Sequence, residues 1–455
     1  MRAVPAPGSV PEGALSTPAD RVLFVIDPVA LLQELIRFDT TNPPGDEEPC
    51  VAHIEAVLRA HGVESERFER TPGRPNLVAR HAGANGGTPL LLYGHVDVVT
   101  TAGQRWTRPA FGGDLADGYV WGRGALDMKG GVAMCVAAFL AAHEAGSPTP
   151  LVLLVLSDEE NGGDEGARFI AEQHADALEG AKHALGEFGG VTTRVGGRRF
   201  YPIQVAEKQM CWLRARVRGP AGHGALGVKG SAMRKLGDLL RTLDRRQPPV
   251  HVIPLVREWI EQMAAALPRP QALVLRRLLD PRSADLAVRA LGPRGRIFSR
   301  VIRNTVSPTI VHGGDKINVI PSEIELKLDG RLLPGFTPDD LIAELHGLVG
   351  QDVDFELVRH DPGPPDADLS FYEPLAQILR ELDPGGVPVP MLQPGVTDAR
   401  FLSRAGVQTY GWLPLRLPDG FEATPLIHNA DERVPADAIR FGVEAIGRAI
   451  ERYRA

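Results

Sequence analysis

The chain has 455 residues, more than one compact core usually holds, so two domains are expected. Its 43% hydrophobic and 24% charged residues are typical of a globular protein, and its net charge of −7 gives no reason to expect a nucleic acid or an anionic membrane as partner. The 3 cysteines form no CxxC pair, which argues against a disulfide framework and a cysteine-based zinc site and favours a reducing cytoplasm.

The N-terminal stretch predicts neither a membrane anchor nor a signal peptide. No apolar run in the chain approaches the roughly 18–20 residues that span a bilayer. Residues 1–28 are rich in Pro, Ala and Gly, and their apolar run VLFVI is too short and too late for a signal sequence. We therefore expect a loose leader before the first helix and a protein that stays in the cytoplasm.

The first half of the chain alternates helix and strand patterns. Residues 28–62 predict an amphipathic helix, a turn at TTNPPGDE and a second helix beginning near Glu47. NLVARH, PLLLYGHVD, PLVLLVLSDEE and KHALGEFGG then predict strands, while GGVAMCVAAFLAAHEAG and EGARFIAEQHA predict helices. Continuous apolar strands alternating with helices favour an open, mostly parallel sheet covered on both faces.

The pattern changes after about residue 206. CWLRARVRGP and EIELKLDGRLL alternate apolar and charged residues, as half-exposed antiparallel strands do, and KGSAMRKLGDLLRTLDRR and DDLIAELHGLV predict helices. The Pro- and Arg-rich stretch 248–303 has helical patterns whose arginines we expect on a solvated face. We predict an α/β protein in which residues 1–206 and 363–455 form the helix-flanked sheet, interrupted by an inserted α+β domain of residues 207–362.

Polar side chains follow three of the predicted apolar strands. His95 and Asp97 follow LLLY, Glu159 and Glu160 follow LVLLVLSD, and Glu187 follows HALG. Sites in open α/β sheets form beyond the carboxyl ends of the strands. We therefore expect these side chains to lie close together at one edge of the sheet.

Two further candidates complete a metal-binding pattern. Asp127 stands just before a helix in GRGALDMKGG, and His428 stands in the polar loop PLIHNADERV. Two histidines with several carboxylates suit two adjacent divalent metal ions, most simply zinc, although cobalt or manganese fits a similar ligand set. Dications about 3.5–4 Å apart need negative charge between them, and Asp127 on its glycine-rich turn is the natural bridge.

The neighbouring positions predict a division of labour. In an extended chain Glu159 and Glu160 point in different directions, so one can bind a metal while the other faces a bound water as general base. Asp97 would lie on the strand face of His95 and hold its imidazole by a hydrogen bond. Each residue alone has an ordinary structural explanation, such as a helix N-cap for Asp127. Their joint placement at successive strand ends favours a catalytic site.

These motifs together resemble a family of two-zinc exopeptidases and amide hydrolases. The family includes glutamate carboxypeptidase, carboxypeptidase S, aminoacylase, acetylornithine deacetylase and succinyl-diaminopimelate desuccinylase. The matching segments are YGHVDVV, WGRGALDMKGG, LSDEENGG, LGEFGG, RGPAGHGA and PLIHNADERV, which occur in the family's order and cover most of the chain. The resemblance implies a zinc-exopeptidase-like sheet with an inserted lid or dimerisation domain.

The resemblance also implies a role for each candidate residue. Glu159 would be the general base, and Asp97 would support His95. The implied metal ligands are His95 and Glu187 for one zinc, Glu160 and His428 for the other, and Asp127 as the bridge.

Further roles are implied for the inserted domain and for one late loop. His223 in RGPAGHGA would reach the active site of a partner subunit in a homodimer and stabilise the oxyanion. Arg331 in LDGRLLPG would grip a substrate carboxylate, with Asn318 of INVIP nearby. GVTDARFL resembles a loop near the substrate, in which Thr397, Asp398 and Arg400 are candidates for lining the pocket.

The sequence departs from the family pattern at three places. Alanine follows the lid histidine where serine is common, Phe188 follows Glu187 where many members have a small or charged residue, and the stretch 248–303 is longer than in small-lid members. These departures leave the implied metal ligands in place.

The implied reaction is hydrolysis of a peptide or amide bond next to a free carboxylate. A carboxypeptidase or dipeptidase acting on small peptides and a deacylase (deacetylase or desuccinylase type) acting on N-acyl amino acids both fit, since aminopeptidase members usually carry aspartate where this chain has Glu187. A non-catalytic binding protein on the same fold is a third alternative, but every ligand and base position is filled. A nucleotide-binding or redox enzyme would need a Gly-rich βα turn, and GRGALDMKGG carries Asp127 where a phosphate would approach.

Overall fold

The computed structural model describes residues 25–84, 86–364 and 366–454, so most of the predicted leader, residues 1–24, lies outside the described residues. Its helices, numbered in chain order, are α1 (Pro28–Ile36), α2 (Glu48–Ala60), α3 (Lys129–Glu144), α4 (Ala167–Gln173), α5 (Ala232–Arg245), α6 (Pro254–Ala266), α7 (Arg269–Arg276), α8 (Ala284–Ala290), α9 (Gly295–Val301), α10 (Pro338–Val349), α11 (Tyr372–Leu382), α12 (Ala399–Leu402) and α13 (Ala436–Arg452).

Among the described residues, the larger sheet has nine strands. In spatial order they are β1 (Ser65–Glu69), β2 (Pro75–His81), β6 (Leu151–Leu156), β3 (Leu90–His95), β7 (His183–Gly186), β17 (Gln408–Gly411), β9 (Arg198–Glu207) and β16 (Gly386–Gln393), with β8 (Thr193–Val195) paired to β9. The central run β6–β3–β7–β17 is parallel. The predicted fold class, a largely parallel central sheet flanked by helices, is confirmed, while β1 and β2 add antiparallel pairs at one edge.

The central parallel strands are covered on both faces. All residues of β3 and of β6 are buried, as expected for continuous apolar runs in a sheet with helices on both sides. Helix α3 packs on one face through small and apolar residues such as Ala133 and Val136. On the other face Ala167 and Ile170 of α4 join Leu91 and Leu154 of the sheet.

Strand β16 was not predicted from the sequence, although it forms one edge of the larger sheet. It contains Pro388 and Pro390, and proline removes a backbone donor that an interior strand would need. At an edge, the missing donors can face away from the neighbouring strand, so the prolines are tolerated. The two prolines therefore made this strand hard to recognise in the sequence, although they are compatible with a strand at the edge of a sheet.

A second sheet has four antiparallel strands in the order β12–β14–β10–β15. Their bounds are β10 (Gln209–Arg218), β12 (Thr305–His312), β14 (Glu323–Leu332) and β15 (Val353–Asp361). Helices α5 and α10 cover one face through buried leucines, including Leu239 and Leu341. The remaining strands form two small ribbons: β4 (Asp114–Ala116), β5 (Tyr119–Trp121) and β18 (Arg433–Pro435), and β11 (Gly222–His223) with β13 (Val319–Ile320).

The chain passes between the two sheets at adjacent points. It leaves at Glu207 and enters the second sheet at Gln209, and it leaves the second sheet at Asp361. The Gln209 side chain lies at both passages, since its Oε1 lies 3.0 Å from His360 Nε2 and accepts a hydrogen bond from Gly363 N. The two connections between the sheets are thus held together by one amide.

Helices α6 to α9 pack away from the second sheet, although they lie within the predicted inserted stretch. Their buried residues share a hydrophobic core with Phe200 of β9 and with Val389 and Leu392 of β16. The division into residues 1–206 with 363–455 and residues 207–362 stays a prediction, and this helical segment is where the contacts depart from it. Its arginines include exposed members such as Arg269 and Arg296.

Two predictions from the sequence concern disulfide bonds and membrane-spanning segments. Cys50, Cys135 and Cys211 are buried free thiols. Within the part of the chain that the structure describes, none of the helices has both the length and the hydropathy needed to cross a membrane.

Candidate active site

The candidate site lies at the carboxyl edge of three neighbouring parallel strands. His95 is the last residue of β3, Glu187 directly follows β7, and Glu159 and Glu160 follow β6 after a two-residue turn. Because β6, β3 and β7 are adjacent and run in the same direction, their polar ends meet at one edge of the sheet. The predicted convergence of these side chains is thus a direct result of the strand order.

Asp127 lies between the two histidines. Its Oδ1 is 3.4 Å from His95 Nε2, and its Oδ2 is 3.1 Å from His428 Nε2. Glu160 Oε1 lies 3.2 Å from the same nitrogen of His428, and Glu187 Oε2 lies 3.5 Å from His95 Nε2. One carboxylate therefore presents an oxygen to each of two groups of ligand atoms, the arrangement that a bridging aspartate requires.

Close backbone packing holds the turn that carries Asp127. A Cβ atom on Gly130, at the start of α3, would lie 2.3 Å from the carbonyl oxygen of Ala125, so only glycine fits there. The glycine-rich pattern on which the prediction of a close approach rested thus has a definite steric cause.

Glu159 and Glu160 begin a 3-10 turn, not an extended segment as the sequence argument assumed. The preceding Asp158 has a φ of 71°, which turns the chain sharply after β6. The two side chains still differ in placement: Glu160 approaches His428, whereas Glu159 Oε2 lies 4.0 Å from His95 Nε2. The turn achieves the separation that the extended geometry was expected to provide.

Mutual repulsion and burial shift the titration of the whole cluster. Burial raises the pKa of Glu159 well above its ordinary value, and the nearby Glu187 carboxylate raises it further. Burial also raises the pKa of Glu160 and of Glu187. Burial alone would lower the pKa of His95, but its carboxylate neighbours, Asp127 first among them, raise it well above the usual range. The surrounding carboxylates therefore stabilise positive charge at His95.

Unpaired buried atoms show that the cluster fits metal ions. His95 Nε2, Glu160 Oε1 and Glu187 Oε1 are buried without a hydrogen-bond partner among the described residues. Such atoms are costly to bury unless something binds them. Two groups of side chains have ligand atoms that all lie within 4.8 Å of one another, and each could hold a metal ion: His95, Asp127 and Glu160, and His95, Glu159 and Glu187.

Asp97 supports the site mainly through backbone groups. Its carboxylate accepts hydrogen bonds from Glu159 N at 3.1 Å and from Glu160 N at 3.0 Å. His95 Nδ1 lies 3.0 Å from the backbone oxygen of Asp97 and 3.4 Å from its carboxylate. A proton on Nδ1 directs the other nitrogen, Nε2, toward the carboxylate cluster.

A second layer supports Asp97 from behind. Asn42 Nδ2 donates to Asp97 Oδ2 at 2.9 Å and to Asp158 Oδ1 at 3.0 Å. Arg74 joins Asp158 at 3.1 Å and pairs with the fully buried Glu47. The turn before the second helix therefore braces the loop that carries the two glutamates.

Arg123 and Glu432 form a buried ion pair that connects three loops of the site. Arg123 Nη1 lies 2.5 Å from Glu432 Oε2, and its other nitrogens donate to Val99 O and Gln104 Oε1. Glu432 Oε1 accepts from the backbone nitrogens of Leu126 and Asp127. The pair thus fixes the backbone of the bridging aspartate. Burial raises the pKa of Glu432 to about 7, against the pull of Arg123.

His223, Asn318 and Arg331 have their partners within the second sheet and its ribbon. His223 is exposed at the end of β11, and its Nδ1 accepts from Ala225 N. Asn318 lies next to it, since its carbonyl accepts from Gly224 N. Arg331 on β14 pairs with Asp329 at 2.9 Å.

The Thr397–Arg400 turn lies behind the glutamates. Asp398 is buried, and neither of its carboxylate oxygens has a hydrogen-bond partner among residues 25–84, 86–364 and 366–454. Burial raises its pKa well above the ordinary value. Arg400 is also buried and donates to the carbonyl oxygens of Thr397 and Gly162.

Sequence reasoning missed Asn42, Arg74, Arg123 and Glu432. Weak signals existed: Glu432 stands four residues after His428 in HNADERV, and Arg123 is a lone charge among glycines. Neither residue shows its partner in the sequence, because 309 positions separate the two members of the pair.

Comparison with known proteins identifies the family. The model of "Peptidase family M20/M25/M40" matches residues 91–452, about four-fifths of the chain. The chain belongs to this family. It is therefore a family hydrolase that acts on peptide or other amide bonds.

Two curated relatives align with this chain over nearly its whole length and nearly their own. Succinyl-diaminopimelate desuccinylase of Paracoccus denitrificans is 27% identical over 445 residues, which cover 94% of this chain and 98% of the relative. Aminoacylase-1 of Sus scrofa is 26% identical over 435 residues, with 91% and 92% coverage.

Solved structures share the fold. An M20 family metallo-carboxypeptidase from Sulfolobus solfataricus superposes with a TM-score of 0.66 at 17% identity and covers 94% of this chain and 99% of its own. A dinuclear metal-binding M20 peptidase from Bacillus subtilis gives a TM-score of 0.56 at 13% identity, with 93% and 96% coverage. At these identities the likeness concerns the fold alone.

The Arg123–Glu432 pair generates a first prediction. Changing Glu432 to glutamine removes the charge that fixes the backbone of Asp127 and leaves Arg123 buried without a counter-ion. We expect zinc affinity to fall about 10–100-fold and the free energy of unfolding to fall by about 3 kcal/mol. Zinc affinity is measured by competition with a chromophoric chelator, and the free energy by urea unfolding. The matched control is Glu422→Gln at an exposed position of the same region; equal affinities in both variants would contradict the role of the pair.

Proposed function

We propose that this protein is a metal-dependent hydrolase that cleaves a peptide or amide bond next to a free carboxylate. The observation that carries the proposal is the placement of Asp127 between His95 and His428, with one carboxylate oxygen near each nitrogen. Such an array suits two metal ions that share a ligand. The nearby Glu159 supplies a base that is not needed as a ligand.

The proposed ligands follow the two groups around Asp127. His95 and Glu187 would hold one divalent ion, Glu160 and His428 would hold the other, and Asp127 would serve as the shared ligand. Imidazole and carboxylate ligands favour zinc, while cobalt or manganese fits the same set. When bound, the ions supply Lewis acidity for the attacking water and for the scissile carbonyl.

Glu159 acts as the general base. Its carboxylate takes a proton from the attacking water and passes it to the leaving nitrogen, and burial raises its pKa above the ordinary value of a glutamate. Asp97 fixes the backbone nitrogen of Glu159 during these transfers. Glu159 lies near His95 and Glu187 but away from His428, and it is not needed as a ligand if Asp127 serves both ions, which supports its assignment as the base over Glu160.

The substrate is held by groups of the second sheet. Arg331 offers a guanidinium for the free carboxylate of the substrate, with Asn318 as a further polar contact. His223 stabilises the oxyanion in the active site of the partner subunit. Because His223 is exposed and its Nδ1 accepts a hydrogen bond from Ala225 N, a partner-subunit role agrees with its surroundings.

A homodimer formed through the second sheet is part of this proposal. Its edge strand β12 carries exposed Ile310 and Val311, and the neighbouring ribbon exposes Leu226, Ile317 and Val319. An unpaired strand edge with apolar side chains is a ready surface for pairing with another chain. The enzyme is proposed to work in the cytoplasm on small molecules.

Removal of N-acyl groups from amino acids is the second candidate activity. The names of the two curated relatives, a desuccinylase and an aminoacylase, favour it, since each aligns over more than nine-tenths of the chain. Both activities cleave an amide beside a carboxylate, so the same groups serve either. The shape of the acyl side of the pocket decides between them.

Metal removal tests the proposed function directly. We expect purified protein to bind about two zinc ions per chain and to hydrolyse members of a panel of dipeptides and N-succinyl or N-acetyl amino acids. A chelator abolishes this activity, and added zinc restores it. The preferred substrate separates peptidase from deacylase. Protein that binds no metal and hydrolyses nothing in the panel would leave the non-catalytic alternative.

Substitution of the base gives a separate prediction. Glu159→Gln should retain its metal and lose about 10²–10⁴-fold in kcat, because the amide cannot accept the proton. Metal content is measured by atomic emission beside the steady-state kinetics. Glu64→Gln, an exposed position after α2, is the control. A Glu159→Gln enzyme near the wild-type rate would show that another group is the base.

Mixing two inactive variants tests the partner-subunit role of His223. Glu159→Gln and His223→Ala each inactivate every site of their own homodimers. In a mixed dimer, one site combines an intact Glu159 with an intact His223 from the other subunit, so refolded equal mixtures should recover about a quarter of the wild-type rate. Recovery no higher than that of either parent would place His223 in its own subunit's site or outside the reaction.

A further inference from the structure

Arg400 occupies a buried position between the late turn and the loop of the general base. It is 5% exposed. Its Nη1 donates to the carbonyl oxygen of Thr397 at 2.9 Å, and its Nη2 donates to the carbonyl oxygen of Gly162 at 2.8 Å. Both terminal nitrogens thus donate to backbone carbonyl groups.

Gly162 closes the 3-10 turn that begins with Glu159. Its nitrogen donates to the carbonyl oxygen of Glu159 at 3.1 Å, while its own carbonyl accepts from Arg400. On the opposite side, Asp97 holds the backbone nitrogen of Glu159. The loop is therefore fixed at both ends, by a carboxylate at its start and by a guanidinium at its finish.

The turn formed by residues 397–400 is anchored by the end residues of two strands, at the points where the chain passes between the sheets. Glu207, the last residue of β9, accepts hydrogen bonds from Thr397 N and Thr397 Oγ1, both at 2.9 Å. Asp361, the last residue of β15, places its Oδ2 3.8 Å from Arg400 Nε. Arg400 and its turn thus contact residues at the ends of two strands. A residue that positions another residue needs such rigid support.

We propose that Arg400 is a positioning residue that sets the place of Glu159 through the carbonyl oxygen of Gly162. This inference rests on the proposed function, because it takes Glu159 as the base. It differs from the expectation, drawn from the sequence, that Arg400 lines the substrate pocket. A planar guanidinium can bridge two carbonyl groups that a single ammonium cannot hold at the same distances.

The chain offers a matched control at Arg404. Arg404 pairs with Asp361 at 3.1 Å, and the guanidinium groups of Arg404 and Arg400 both lie over the ring of Phe401, at 5.2 and 4.4 Å from its centroid. Its remaining ion-pair partner is Glu172 on α4, at 3.6 Å, and not the loop of the base. A lysine at position 404 therefore disturbs the same carboxylate and the same ring without touching Gly162.

The first experiment compares Arg400→Lys with Arg404→Lys in the zinc-loaded enzyme. We expect Arg400→Lys to lower kcat about 10–100-fold, with KM changed less than about threefold and metal content unchanged. Arg404→Lys should stay within about threefold of the wild type in both constants. A large rise in KM with kcat preserved would overturn the proposal in favour of a substrate contact, and equal losses in both variants would reduce Arg400 to a general structural role.

The second experiment places Arg400→Lys in the Glu159→Gln background. If Arg400 acts through Glu159, its substitution should change the residual kcat less than about twofold once the base is gone. An undiminished loss would show that Arg400 acts independently of Glu159. Should Arg400→Lys fail to fold, Arg400→Gln, which keeps one donor, serves in the same cycle. Absence of chelator-sensitive hydrolysis in the wild type would instead refute the proposed function itself.

Discussion

Repulsion between buried carboxylates is the constraint on which the rest of the site depends. Asp127, Glu159, Glu160 and Glu187 are brought together in a poorly hydrated place where each raises the energy of the others. Two histidines inside the cluster cannot balance so many negative charges. The surrounding hydrogen bonds hold the carboxylates in place, and the cluster is suited to binding divalent cations.

The supporting residues explain how this strain is tolerated. The Arg123–Glu432 pair and Asn42 lie outside the ligand cluster and bind its backbone or its immediate neighbours. They resist the expansion that repulsion would otherwise cause. Rigid parallel strands below, and loops tied by buried ion pairs above, make the site a fixed array instead of a set of flexible loops.

Much of the candidate site could be predicted from the sequence, because most of the candidate metal ligands follow apolar runs that are typical of buried strands. The supporting contacts could not, since Arg123 and Glu432 meet only after the chain has completed the whole sheet. The helical character of the segment α6 to α9 was predicted, but the surface against which these helices pack was not. Its amphipathic pattern predicts a buried side, but it does not predict whether that side packs on the first sheet or on the second. The local sequence determines which side chains are buried, and the topology determines which element they pack against.

The shared passage at Gln209 bears on how such a fold can change over generations. The chain leaves the first sheet and returns to it at adjacent points, which one side-chain amide joins. An excursion that starts and ends at the same place imposes no change of spacing on the strands it interrupts. The intervening stretch can therefore lengthen, shorten or gain helices while the carboxylate array stays in register, so new substrate preferences can arise without rebuilding the catalytic chemistry.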